Sequence, residues 1–122
     1  MNLFTINETR IPGFFEILYH VSANPQIREA AMNKLLQLIE NKLYKGLIIN
    51  FKSFAPDLSI TQILDFAEKE LAYSSLRNKP SAYVVASDSD AYSFMQNVLI
   101  NRGKKTALFY SSEEALQWLI EA

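Results

Sequence analysis

The sequence contains no cysteine, only three glycines and a single histidine, and each scarcity removes a class of chemistry. Without cysteine there is no disulfide, no thiolate nucleophile and no cysteine-based zinc site, which fits a reducing, cytoplasmic setting. The glycines, at 13, 46 and 103, are too scattered to build a phosphate-cradling loop, and no Gly-x-Ser-x-Gly elbow occurs. His20 stands alone, so a base or metal ligand there would need carboxylates from distant strands, and none nearby has the spacing. Charge of one sign is also thin: 12 basic and 13 acidic side chains leave a net charge of −1, with no like-charge run longer than two. No nucleic-acid partner is expected from that balance. No run approaches the roughly eighteen apolar residues of a membrane span. Residues 1–8 also lack the basic and apolar regions of a signal peptide, so neither feature is expected.

What remains is an ordinary globular composition. The 122 residues are 49% apolar and 20% charged, which predicts one folded domain over 1–122. A chain of this size buries roughly two-thirds of its unfolded surface. Residues 2–8 and 14–21 read as strands joined by a Pro12-Gly13 turn, in which proline pre-sets one dihedral and glycine accepts a positive φ. Asn24 caps and Pro25 opens a helix over 25–44, striped by Ile27, Ala31, Leu35, Leu38 and Ile39. Leu47 to Phe51 is too short for a helix and reads as a buried strand. After a loop containing Pro56, Ser59 caps a second helix with Ile60, Ile63, Leu64, Ala67 and Leu71 inward and Glu68, Lys69 and Glu70 toward water.

Strand 81–86 and a helix from Asp88–Asp90 to Gly103 follow, the latter striped by Ala91, Phe94, Met95, Val98 and Leu99. The last strand is 106–110. Ser111 and Glu114 have capping-box spacing at the start of a final helix that buries Ala115, Leu116, Leu119 and Ile120. The expectation is an α/β fold of order ββαβαβαβα: a five-stranded mixed sheet, with an N-terminal hairpin and then parallel strands, and four helices.

Strand alternation suggests a contact surface. In residues 14–21 one face carries Phe15, Ile17, Tyr19 and Val21, while the other carries Phe14, Glu16, Leu18 and His20. Continued through Ile48 and Asn50, that second face would carry Tyr83 and Val85, then Leu108 and Tyr110. With Tyr92 nearby, these residues form the candidate surface for a protein partner or an apolar small ligand. The plain alternative for the aromatics Tyr83, Tyr92, Phe94, Phe109, Tyr110 and Trp118 is core packing.

Three segments carry a resemblance: Ala82 to Ala86, Asp90-Ala91-Tyr92, and Glu113-Glu114-Ala115-Leu116-Gln117-Trp118-Leu119. Together with the element order, they make the chain resemble the STAS-like domains, the fold of bacterial anti-sigma-factor antagonists. It is most similar to a bacterial branch with architectural likeness to CRAL-TRIO lipid-binding domains. The resemblance implies a non-catalytic regulatory or interaction domain that self-associates or binds a protein; the alternative it implies is a carrier of a small apolar ligand or lipid. It also points to a phosphorylatable serine at the start of the helix after the middle strand, where Asp57-Leu58-Ser59 lies. The family pattern has serine adjacent to aspartate and a Ser-Gly-Leu continuation, and this sequence has neither.

Ser59 therefore has two readings, a phosphate acceptor at a helix N-terminus or simply the N-cap that serine favours. Asp57, Asp88 and Asp90 fall near the carboxyl ends of parallel strands, where a hard cation would find oxygen ligands. Turn and cap positions explain the same aspartates. No catalytic residue, metal site or cofactor is assigned.

Overall fold

The structure is a computed structural model that describes residues 2–52, 59–86 and 90–122, apart from the side chains of Ile60 and Ile63. Two strands, β1 (Phe4–Glu8) and β2 (Phe14–Tyr19), lead into α1 (Pro25–Ile39) and β3 (Gly46–Asn50). Then come α2 (Ile60–Ala72), a short α3 (Ser74–Arg77), β4 (Ser81–Val84), α4 (Asp90–Asn101), β5 (Thr106–Phe109) and α5 (Ser112–Glu121). The fold is α/β with a five-stranded mixed sheet. The one-turn α3 is an addition to the four expected helices; it forms because the chain breaks at Tyr73, whose backbone is extended (φ −88°, ψ 110°).

Helix α1 ends at Ile39, the last residue of its apolar stripe and five residues short of the expected end at 44, and Asn41 takes a positive φ of 63°. Asparagine tolerates that conformation because its short polar side chain bonds locally. Gly13 has φ 93°, the role expected of it in the hairpin turn, and its N–H donates to Glu8 Oε2 at 2.9 Å.

The strands lie in the order β1-β2-β3-β4-β5, with β1 antiparallel to β2 and every later pair parallel. Each parallel crossover adds its strand on the same side, so right-handed connections carry all their helices onto one face. The packing agrees. Leu35 of α1, Ala67 of α2, Leu76 of α3 and Leu99 of α4 share one core with Ile17, Ile49 and Tyr83. Helix α5 has no further strand to reach and folds onto the opposite face, where Ala115, Leu116 and Leu119 meet Phe14, Ile48, Ala82 and Val84. Gly46 permits that approach: a Cβ there would lie 3.2 Å from both Leu119 and Phe14.

Register corrects the candidate surface. Ile6, Ile17, Ile49, Tyr83 and Leu108 are successive partners across all five strands, so they share one face, the one covered by α1–α4. Tyr83, Val85 and Tyr92 are buried there and Leu108 is half-buried; of the five candidates only Tyr110 is exposed. Residues 82–85 are continuously apolar because β4 is central and covered on both sides. Such a run carries no alternation from which its facing could be read. Three helical positions also depart from their stripes: Leu64, Phe94 and Ile120 are exposed. No helix among the described residues is long and apolar enough to cross a membrane.

The complete capping box is at α2. Ser59 Oγ accepts from Gln62 N–H at 3.2 Å, and Gln62 Oε1 accepts from Ser59 N–H at 2.9 Å. At α5 Ser111 Oγ accepts from Glu114 N–H, while its hydroxyl bonds the Glu114 carboxylate directly. Replacing Ser59 with Ala is expected to cost about 1 kcal/mol of stability. Urea unfolding checks this, and a midpoint equal to wild type would contradict the role of the cap.

Candidate functional site

Beneath α1 and α2 the sheet presents aromatic rings. Phe51, just past β3, stacks on Tyr19 at 5.1 Å and on Tyr92 at 5.6 Å, and meets Phe66 of α2 edge-on at 6.2 Å. Helix α2 packs mainly on α4. A cavity of about 170 Å³ opens where α1 faces α2, lined by Arg28, Glu29 and Met32 on one side and Asp65, Phe66, Lys69, Glu70 and Tyr73 on the other.

Arg28 is the unusual member. It occupies a core position of α1, in register with Ala31, Met32 and Leu35, and is only 4% exposed. Its guanidinium lies 4.4 Å above the Phe66 ring, a cation–π contact. All three of its nitrogens are buried without a hydrogen-bond partner among the described residues. Burial lowers its pKa from the ordinary arginine value, opposed by Tyr19, Asp65 and Tyr83; a guanidinium nonetheless keeps its charge at neutral pH.

The acids around it are engaged in part, and Glu70 Oε1 is itself buried without a hydrogen bond from any described residue. Glu70, 1% exposed, accepts a short hydrogen bond from the Tyr83 hydroxyl through Oε2 and lies 3.8 Å from Lys104 Nζ through Oε1. Lys104, also buried, donates to Lys79 O at 2.6 Å and to Leu76 O, holding the end of α3. Burial lowers the Lys104 pKa and the Glu70 carboxylate opposes it. Asp65 pairs with Lys69 at 3.6 Å on the exposed side of α2.

Glu70 is a second correction, since it points into the core and not to water. The sequence pattern places Glu70 toward water with Glu68 and Lys69, and it singles out neither Arg28 nor Lys104. A signal existed: Arg28 and Glu70 each lie three or four residues from buried members of their stripes.

On the opposite face, Ser112 Oγ donates to Glu16 Oε2 at 2.6 Å. Asn50 Nδ2 donates to the same oxygen at 3.0 Å and to Ser112 Oγ at 3.1 Å. These bonds tie β2, β3 and the start of α5 together. His20 is exposed and 2.6 Å from Thr5 Oγ1. Ser59 is the exposed N-cap of α2, and Asp90 is exposed at the first residue of α4. Asp57 and Asp88 lie outside the described residues. Among those described, no three His, Asp or Glu side chains are grouped to hold a metal ion.

Two outcomes follow from the buried groups. Glu70→Ala strands the Lys104 ammonium and the Tyr83 hydroxyl, and is expected to cost about 3–5 kcal/mol in urea unfolding. Glu68→Ala, which removes only an exposed pair with Arg102, should cost about 0–1 kcal/mol. Equal losses would contradict the assignment.

Burial also raises the phenols of Tyr19, Tyr44 and Tyr83 above their ordinary value of 10, and pushes Tyr92 up to about 12. Above pH 10 the native state therefore holds protons that the unfolded chain releases, so this stability falls as pH rises. Lys104 acts oppositely but only below its ordinary 10.5. Unfolding midpoints should consequently drop between pH 10.5 and 12, and constant midpoints over that range would refute the linkage.

No protein-family model matches the chain, and no curated protein matches it.

Proposed function

We propose that this chain is a non-catalytic, STAS-like binding domain that holds a small, largely apolar ligand between α1 and α2. One observation carries the reading: a cavity of about 170 Å³ walled by Met32, Phe66 and Tyr73, with a buried cation, Arg28, that no described residue satisfies. Ligand sites combine apolar walls with a few polar groups that fix orientation, and this cavity has both. The face that the sequence offered to a protein partner supports such a role less well, because Tyr83, Val85 and Tyr92 are buried in the core. The element order and the mixed sheet are in keeping with the STAS-like resemblance.

The test is saturation-transfer NMR with a panel of small neutral and charged apolar compounds, alongside native mass spectrometry of freshly purified protein. Ala72 lines the cavity and is exposed, so Ala72→Trp should block the cavity without disturbing the core. The expected result is binding of at least one compound, or a co-purifying mass, lost in Ala72→Trp. A silent panel with only the bare chain in the mass spectrum would overturn the proposal.

A further inference from the structure

The sheet ends on β1 at one side and on β5 at the other. At β1, His20 N–H donates to Leu3 O at 2.9 Å and Thr9 N–H donates to Phe14 O at 2.7 Å, which fixes the parity of the antiparallel ladder. Leu3, Thr5, Asn7 and Thr9 turn their backbone groups toward β2, whereas Phe4, Ile6 and Glu8 turn theirs away from the sheet. Among the described residues, nothing pairs with the N–H or C=O of those three.

A row of free donors and acceptors is a template for another strand, and edges are ordinarily guarded by lysine, proline or a bulge. Strand β1 has none of these guards. It reads Phe-Thr-Ile-Asn-Glu, its register runs without a bulge, and its one charge is Glu8 at the end. Leu3, just before it, is an exposed apolar side chain. The β5 edge differs: it has four residues, follows Lys104-Lys105, and Thr106, whose backbone groups point outward there, is only 7% exposed.

The β1 edge is complementary to a second copy of itself. In an antiparallel pair about a two-fold axis at Ile6, each Ile6 faces the partner's Ile6 and each Phe4 faces the partner's Glu8. Every outward N–H and C=O of both strands then finds its complement. The side chains agree with this register. Ile6 meets its counterpart on the face that carries α1–α4, Thr5 meets the partner's Asn7 on the other, and no like charges oppose each other. Centring the pair on Glu8 would instead set carboxylate against carboxylate and leave Phe4 unpaired.

We propose that this chain forms a homodimer by antiparallel pairing of β1 with β1 of a second copy, in register about Ile6, so that one sheet continues through both subunits. Residues 4–8 do not line the cavity between α1 and α2, so this interface and the ligand site stand or fall separately.

Sedimentation equilibrium and cysteine cross-linking of the full chain test this. The wild-type mass is expected to rise from 13.9 kDa toward twice that value, over concentrations from about 1 to about 500 μM, as suits a small interface. A mass that stays at 13.9 kDa throughout would overturn the second copy as occupant. Because the chain has no cysteine, Ile6→Cys introduces a single thiol. Across the axis its Cα atoms would lie about 5.5 Å apart, within reach of a disulfide, whereas those of Leu3→Cys would lie about 20 Å apart. Under mild oxidation Ile6→Cys should therefore form covalent dimer roughly tenfold or more faster than Leu3→Cys, although Leu3 is the more exposed position. Equal rates would overturn the register. Amide exchange of the wild-type chain decides where a variant fails to fold. The N–H groups of Phe4, Ile6 and Glu8 should exchange more slowly as concentration rises, and unchanged rates would overturn β1 as the interface.

Discussion

Successive strands of this sheet are always added on the same side, and the handedness of parallel crossovers then leaves no choice about where the connecting helices go. Helices α1, α2 and α4 must share one face. Because α2 and α4 follow one another across β4, they pack together, and the seam between α1 and α2 is left less filled. The cavity lies in that seam. Helix α5 escapes the constraint because no strand follows it, and it packs on the opposite face at Gly46, where the missing side chain leaves room for the close approach of Leu119.

A chain of 122 residues that buries an arginine, a glutamate and a lysine near one another gives up solvation that must be recovered locally. Lys104 recovers it from the carbonyls at the end of α3 and from Glu70 at 3.8 Å, while Glu70 binds Tyr83 through Oε2 and leaves its buried Oε1 without a hydrogen bond from any described residue. The same lysine thereby anchors the turn leading into β4. Among the described residues, Arg28 finds the π face of Phe66 and no hydrogen-bond acceptor. A satisfied buried charge holds elements together, whereas Arg28 keeps hydrogen-bonding capacity that no described residue uses.

The polar group on the other face obeys the same logic. Glu16, Asn50 and Ser112 satisfy each other across β2, β3 and α5, and Asn50 also accepts from the N–H of Lys52 at 2.8 Å. Because their mutual bonds already connect three elements, this cluster needs no ligand to explain it.

Much of the fold was legible locally. Asn24-Pro25, Ser59 and Ser111 mark helix starts because capping is a matter of one side chain and the next turn of backbone. The hairpin followed from Pro12-Gly13, and the element order from alternating short apolar runs and helical stripes. The facing of Tyr83 and Leu108 was not legible, because a strand buried on both sides has no polar alternation and its parity is set by pairing with β3. Nor was the site. That Arg28 meets Phe66, and that Glu70 meets Tyr83 and Lys104, depends on how far apart α1, α2 and the strands settle. The sequence by itself determined an α/β chain with its caps and turns, since those rest on contacts within a few residues. Only the tertiary structure decided which charges were buried and which were paired, since those depend on groups brought together from 13 to 38 positions apart.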